Sequence, residues 1–123
     1  MEYCGLLGGV GDSGRPVITH IYPAVNELAI ATAYEIAPEE LFRIMRRMRT
    51  DGVQFMGIYH SHPRSENYPS PTDVARAFYP DAIYFIISPA ADAQRSVRAF
   101  RIRNGMIVEL RIESVPATVQ PKP

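Results

Sequence analysis

The sequence has little of what marks a secreted, membrane-bound or nucleic-acid-binding protein. It contains one cysteine, Cys4, and no tryptophan. A single cysteine excludes an internal disulfide framework and is consistent with a reducing cytoplasm. No apolar run reaches the length of a bilayer span, and no basic-then-apolar signal pattern opens the sequence. We therefore expect a cytoplasmic protein with no membrane partner.

The chain also lacks an excess of either positive or negative charge. Thirteen basic residues balance thirteen acidic ones, so the formal net charge is +0. Nucleic-acid binders carry an excess of basic residues, so neutrality gives no reason to propose such a partner. The 123 residues are 46% hydrophobic, which fits one globular domain with a single core. We expect this domain to cover residues 1–115 and a flexible, proline-rich tail to cover 116–123.

Apolar runs and turn residues divide the first half of the chain into strands and one helix. Cys4–Val10 and Arg15–Tyr22 predict a strand hairpin, and Leu28–Ile36 predicts a further strand. From Pro38 the apolar residues recur at helical spacing as far as Asp51-Gly52. A run of arginines on the other side of this helix indicates a solvated face, because acidic residues precede it and the chain is neutral.

The second half predicts strands, a short helix and a hairpin. The predicted elements are strands over Gln54–Ser61 and Ala82–Ile87, a helix over Pro71–Phe78, and strands over Ser96–Arg103 and Met106–Glu113. Asn104-Gly105 between the last two strands is a strong hairpin signal. Apolar and charged residues alternate in the final strand, so we expect its charged face to be the one in water. The sum is an α/β fold, a mixed sheet with helices packed against it.

A His-x-His pair stands at the end of a predicted strand. Alternate side chains of a strand share a face, so His60 and His62 project together while Ser61 points away. Asp73, eleven residues beyond His62, can fold back to join them. Two nitrogens and one oxygen suit zinc and leave a fourth position for water, as in catalytic sites. This pattern favours a zinc hydrolase over the alternative, two surface or capping histidines.

Ser70 and Asp73 each have two possible roles. Ser70-Pro71-Thr72-Asp73 has the pattern of a helix start, with serine as N-cap, proline at N1 and an acid at N3. The cap and ligand roles of Asp73 are compatible, because a helix N-terminus fixes the position of the carboxylate. The Ser70 hydroxyl either only caps the helix or also donates a hydrogen bond to the oxyanion that forms at an attacked carbonyl. The spacing does not choose between these two roles.

A zinc hydrolase also needs a base that takes a proton from the attacking water and hands it to the leaving amine. The candidates are Glu2, just before the first strand, and Glu66, in the loop after the histidines. The residues alone do not choose between them, although loop glutamates usually point to solvent. Cys4 is expected to be a small buried residue rather than a zinc ligand, since the other ligands suffice.

Taken together, these residues resemble the JAMM (MPN+) metalloprotease family. Its pattern is a glutamate ahead of a Gly-Leu-Leu-Gly-like strand, then His-Ser/Thr-His, seven residues, serine, two residues and aspartate. Here Glu2 precedes Gly5-Leu6-Leu7-Gly8, and His60-Ser61-His62, Ser70 and Asp73 follow with the same spacing. The resemblance covers almost the whole chain.

The resemblance implies a cofactor, a set of roles, a fold and a reaction. Zinc would be bound by His60, His62 and Asp73. Glu2 would be the general acid/base, and Ser70 would stabilise the oxyanion. The implied fold is a curved β-sheet sandwiched by helices, as in cytidine-deaminase-like domains. The implied reaction is hydrolysis of an amide or isopeptide bond, often after the C-terminal Gly-Gly of a ubiquitin-like protein.

Within the family, the chain looks most like the small bacterial peptidases that release cysteine from a sulfur-carrier protein. The segments that carry this likeness are Ile58–His62, Tyr68–Asp73 and Pro80–Tyr84. Only about eight residues separate Asp73 from the strand at Ala82, so the long inserts with which eukaryotic relatives grip two ubiquitins cannot fit. A chain-specific deubiquitinase is therefore disfavoured.

One departure from the family concerns the segment before the glutamate. Family members usually have a strand and a long helix there, whereas Glu2 directly follows Met1. We expect these elements to be missing, which would open part of the core to a homodimer contact. We then expect zinc binding with weak or no peptidase activity unless the chain is extended upstream. Two alternatives stay open, a non-catalytic interaction module with an MPN-like fold and a zinc hydrolase of small amides.

Overall fold

Apolar strands and an amphipathic helix dominate the part of the chain that the computed structural model describes, residues 3–12, 14–26, 36–62, 67–88 and 96–114. The elements in chain order are β1 Cys4–Val10, β2 Val17–Ala24, α1 Pro38–Asp51, β3 Gln54–Ser61, α2 Pro71–Ala75, β4 Ile83–Ile87, β5 Val97–Arg103 and β6 Met106–Leu110. The strand predicted before α1 falls almost entirely outside the described residues, and the tail 116–123 lies wholly outside them.

The six strands form one mixed sheet in the order β2-β1-β3-β4-β5-β6. β3 and β4 pair in parallel, and the other neighbours are antiparallel. A parallel pair needs a crossover, and residues 62–82, which include α2, supply it. The register shifts where β1 meets β2 and β3, at Gly8, and such irregularities bend a sheet. The predicted α/β fold with a curved mixed sheet is confirmed.

A row of large side chains crosses the sheet and forms the centre of the core. Leu6 pairs with Ile58, Ile58 with Tyr84, and Tyr84 with Phe100, so all four lie on one face. Each of them is buried, with Leu6 and Phe100 at 0% exposure. This row fixes which face of every strand points inward.

Both described helices pack on that inward face. Ile44 and Met48 of α1 form a buried cluster with Leu6 of β1. Val74 of α2 packs against the cluster that contains Ile58 and Phe100. The side chains on the same face of β3 therefore lie under the helices. No helix in the described ranges is both long and apolar enough to cross a membrane.

The ends of α1 follow from its sequence. Pro38 occupies its first turn, and Gly52 closes it in the left-handed conformation, with φ of 74°. The Gly52 N–H donates to the carbonyl of Arg49 at 3.2 Å, a bond that a left-handed residue after a helix commonly makes. The helix prediction is confirmed at both ends.

Two predicted features differ from the structure. α2 ends at Ala75 rather than Phe78, and Phe78 is 73% exposed. In β6 the interpretation of the faces is wrong, because Met106 and Val108 are exposed while Ile107 packs on the core. The cause is register. The two-residue turn places Ile107 opposite buried Ile102, and this pairing decides which face of β6 points inward.

Candidate metal centre

β3 and the residue that directly follows it bring two histidines to the inward face of the sheet. His60 and His62 alternate with Ser61 and are 1% and 5% exposed. His60 lies opposite Cys4 on β1 and Ile86 on β4, in the row next to the core row. The Nε2 atoms of the two histidines are 3.1 Å apart. The sequence prediction that both rings share a face is confirmed.

Asp73 joins the histidines from the first turn of α2. Its Oδ2 atom lies 2.9 Å from Nε2 of His62, and its Oδ1 atom lies 3.1 Å from Nε2 of His60. The carboxylate is 6% exposed. Because α2 packs on the face that carries the histidines, an acid in its first turn can reach them. The three side chains predicted to converge therefore do so.

Ser70 and Asp73 form a capping box at the start of α2. The Asp73 N–H donates to Oγ of Ser70 at 3.1 Å, and the Ser70 N–H donates to Oδ2 of Asp73 at 2.8 Å. The capping role of Ser70 is therefore present. In this role the hydroxyl oxygen only accepts, so its own hydrogen stays available to donate. Asp73 is both a cap and a member of the buried cluster.

The environment keeps the Asp73 carboxylate ionised. Burial raises its pKa, but hydrogen bonds with His60 and His62 and the Ser70 N–H lower it more. The net result is a pKa well below the usual value for aspartate. An ionised carboxylate is the form that binds a metal ion.

The cluster fits a small divalent cation. One carboxylate and two imidazole nitrogens face one another at 2.9–3.1 Å. A tetrahedral zinc shell with bonds of about 2.0–2.1 Å has ligand atoms about 3.3–3.4 Å apart, so a small outward adjustment would admit the ion. Among the residues that the structure describes, His60, His62 and Asp73 form the one group of three such side chains that could hold a metal.

The sequence also offered two acids and one thiol as candidate residues for this site. Glu2 and Glu66, the two candidate bases, lie outside the described residues. Cys4 is 1% exposed, and its Sγ atom approaches the carbonyl of Ala24 at 4.0 Å. This position agrees with the prediction of a small buried residue.

Sequence reasoning missed a contact of Ser61. The Tyr3 N–H donates to Oγ of Ser61 at 2.9 Å, and the Ser61 N–H donates to the carbonyl of Tyr3 at 3.0 Å. Strand alternation indicated only that Ser61 points away from the histidines. The only signal in the sequence was a serine at the end of a predicted strand, where backbone hydrogen bonds to the neighbouring strand stop.

A curved mixed sheet with a buried His-His-Asp cluster beside a short capped helix defines a domain of the JAB1/MPN class. The chain belongs to the family described as prokaryotic homologs of the JAB domain, whose sequence pattern matches residues 1–103. The resemblance to the JAMM (MPN+) family is therefore confirmed.

Two proteins of this kind are similar in sequence to this chain. The desampylase of Haloferax volcanii is 42% identical over 89 residues, which are 72% of this chain and 63% of that protein. The CysO-cysteine peptidase of Mycobacterium tuberculosis is 37% identical over 108 residues, 88% of this chain and 73% of that protein. The match therefore spans less than two thirds of the desampylase.

Solved structures show the same fold. A protein of Desulfitobacterium hafniense superposes with a TM-score of 0.82 at 32% identity, covering 91% of this chain and 77% of its own. A JAB1/MPN domain protein of Archaeoglobus fulgidus superposes with a TM-score of 0.52 at 21% identity, covering 89% and 78%. The second likeness concerns the fold alone.

Proposed function

We propose that this protein is a zinc-dependent metallopeptidase. Its substrate is an amide or isopeptide bond after the C-terminal Gly-Gly of a ubiquitin-like or sulfur-carrier protein. The observation that carries the proposal is the buried cluster of two imidazole nitrogens and one carboxylate at 2.9–3.1 Å. The names of two relatives, a desampylase and a CysO-cysteine peptidase, support the reaction and the class of substrate.

Each role in the reaction is assigned to one part of the site. His60, His62 and Asp73 hold the zinc ion, which when bound activates water and polarises a carbonyl. The Ser70 hydroxyl, which caps α2 as an acceptor, donates its hydrogen to the oxyanion. Glu2 takes the proton from the attacking water and delivers it to the leaving amine.

The segment between α2 and β4 favours a single carrier protein over a ubiquitin chain as the substrate. Arg101 donates to the carbonyl of Asp81 at 2.9 Å, and Arg103 donates to the carbonyl of Pro80 at 2.9 Å. The Tyr79 N–H donates to the Tyr84 hydroxyl at 3.1 Å. A connection so short and so tied to β5 has no arm that could hold a second carrier protein. We therefore propose a single carrier protein with a small leaving group such as cysteine.

The test combines metal analysis with a cleavage assay on a carrier protein that bears a C-terminal cysteine adduct. The cleavage assay uses the chain extended upstream, because weak or no activity is expected without that extension. We expect about one zinc ion per chain, release of cysteine, loss of release with a chelator and recovery with added zinc. Glu2→Gln should retain zinc and lose hydrolysis, and exposed Glu113→Gln is the matched control. A protein that takes up no zinc, or that binds the carrier without cleaving it, would contradict the proposal and favour an interaction module.

A further inference from the structure

Ser61 makes the last hydrogen bonds between β1 and β3, one residue beyond the regular pairing. The ladder pairs Cys4 with His60, and one step further Ser61 faces Tyr3. An antiparallel pair of this type exchanges two backbone hydrogen bonds. Here the Ser61 N–H donates to the Tyr3 carbonyl at 3.0 Å, while the Tyr3 N–H donates to the Ser61 hydroxyl at 2.9 Å. The side chain thus takes the place of a backbone carbonyl.

β3 lies between β1 and β4, and its successive N–H groups point to opposite neighbours. The Ser61 N–H donates toward β1, and the His62 N–H donates to the carbonyl of Ile87 on β4 at 2.8 Å. The Ser61 side chain, which is 1% exposed, keeps the first residues of the chain attached to the strand that carries the histidines.

This contact bears on the proposed base through the covalent chain. The Tyr3 N–H belongs to the planar peptide group that joins Glu2 to Tyr3. A hydrogen bond to that N–H fixes the peptide plane from which the Glu2 side chain departs. The Ser61 contact therefore acts on the backbone to which the Glu2 side chain is attached.

We propose that Ser61 is a positioning residue, whose hydroxyl holds the peptide group that joins Tyr3 to the proposed base, Glu2. This inference rests on the proposed peptidase function. It gives the middle residue of the His-Ser-His motif a role separate from metal binding. Ser61 does not touch the substrate in this role, because its side chain points away from both histidines.

The alternative is that Ser61 only stabilises the fold. The two roles differ in what the loss of the hydroxyl changes. Tyr3 is 53% exposed and its hydrogen bond to Ser61 is only partly buried, so we expect Ser61→Ala to cost little global stability. A positioning role then predicts a loss of turnover and local loosening near Tyr3, with zinc content and unfolding temperature nearly unchanged.

The test compares zinc-loaded Ser61→Ala, Ser61→Thr and wild type on the carrier–cysteine substrate. We expect kcat of Ser61→Ala to fall roughly 10- to 100-fold, the loss typical of a misplaced catalytic group, with KM within about twofold. Ser61→Thr keeps a hydroxyl and should keep most of the activity. Thr50→Ala, which removes a hydroxyl that donates to the Arg46 carbonyl within α1, is the control and should change kcat by less than about twofold.

A second readout does not depend on turnover. Hydrogen exchange of the Tyr3 amide should be at least about tenfold faster in Ser61→Ala than in wild type or Ser61→Thr. In the Glu2→Gln background, Ser61→Ala should cause no further loss of activity. Unchanged kcat and unchanged exchange in Ser61→Ala, beside an active wild type, would overturn the role of Ser61 alone. A wild type that binds no zinc and cleaves nothing would overturn the proposed function and the positioning role with it.

Discussion

Asp73 and His62 lie 2.9 Å apart although Asp73 belongs to α2 and His62 directly follows β3. The contact depends on α2 packing against the face of the sheet that carries the histidines. The Ser70 N–H donates to Oδ2 of the carboxylate and fixes its orientation, in which both oxygens face the histidine rings. A ligand fixed in this way is ready to bind a metal ion without rearrangement of its own backbone.

Asp73→Asn should separate the metal role of this side chain from its capping role. An amide oxygen can still accept from the Ser70 N–H, but it lacks the charge that a zinc ligand supplies. We expect zinc affinity to fall by at least about 100-fold, since losing even a supporting contact costs roughly 10- to 100-fold. Competition with a chromogenic chelator measures this. Asp81→Asn is the control, because Asp81 is highly exposed and pairs with Arg103; equal affinities in the two variants would refute the assignment.

Ser70→Ala should affect both the helix and the reaction. Loss of an N-cap side chain costs about 1 kcal/mol of stability, whereas loss of an oxyanion donor lowers kcat by roughly 10²- to 10³-fold. Ser70→Thr keeps the cap and the donor, so its kcat should stay within about tenfold of wild type. Urea unfolding and steady-state kinetics on the same samples separate the two effects. If kcat of Ser70→Ala falls by less than fivefold, Ser70 caps the helix but does not stabilise the oxyanion.

Tyr22→Phe should remove a contribution to stability that the wild type loses at alkaline pH. The Tyr22 hydroxyl donates to Oδ2 of Asp51 at 2.7 Å and ties β2 to the end of α1. Burial and this hydrogen bond raise the pKa of Tyr22 to about 12. A raised pKa means that the stabilisation is fully present below the ordinary pKa of 10.0 and is lost as the pH rises through about 12.

The free energy of unfolding of wild type minus that of Tyr22→Phe should therefore be constant from neutral pH to about 9 and shrink above 10. The hydrogen bond from Tyr22 also lowers the pKa of Asp51. On the acid side the same difference should therefore shrink as the pH falls below the usual aspartate range. Urea unfolding across this range is the measurement. In an Asp51→Ala background the difference should vanish at every pH; a difference that persists there would point to another interaction of the Tyr22 hydroxyl.

Gly105→Ala should weaken the β5–β6 hairpin. Asn104 and Gly105 have φ of 53° and 79°, the left-handed region on both turn residues. An alanine in that region costs about 1 kcal/mol, and we expect the free energy of unfolding to fall by that amount. Gly14→Ala, in a turn where φ is not positive, is the control for loss of a glycine. Equal destabilisation by both variants would contradict the explanation.

Much of the fold could be predicted because local patterns decide it. The start of α1 at Pro38 and its end before Gly52 follow from the fixed φ of proline and the left-handed φ of glycine. β3 and its histidines follow from an apolar run with alternating faces. The convergence of Asp73 with that pair followed from motif spacing, and the structure places the three side chains together.

The features that were missed have different causes. Which face of β6 points inward is set by its register with β5, in which Ile107 faces Ile102. The contact of Ser61 depends on where the β1–β3 ladder stops. α2 ends at Ala75 although the pattern extends to Phe78. Only the Ser61 contact joins residues far apart in the chain, Tyr3 and Ser61, so no local window of sequence contains it.

The parallel pairing of β3 and β4 bears on the order in which the molecule folds. The hairpins β1–β2 and β5–β6 each form within a short stretch of chain, whereas β3 and β4 meet only after residues 62–82 have crossed the sheet. Asp73 lies inside that crossover, and the histidines lie where it begins. The three side chains therefore converge late, and a chain emerging from the ribosome gains its metal-binding shape only once β4 has been synthesised.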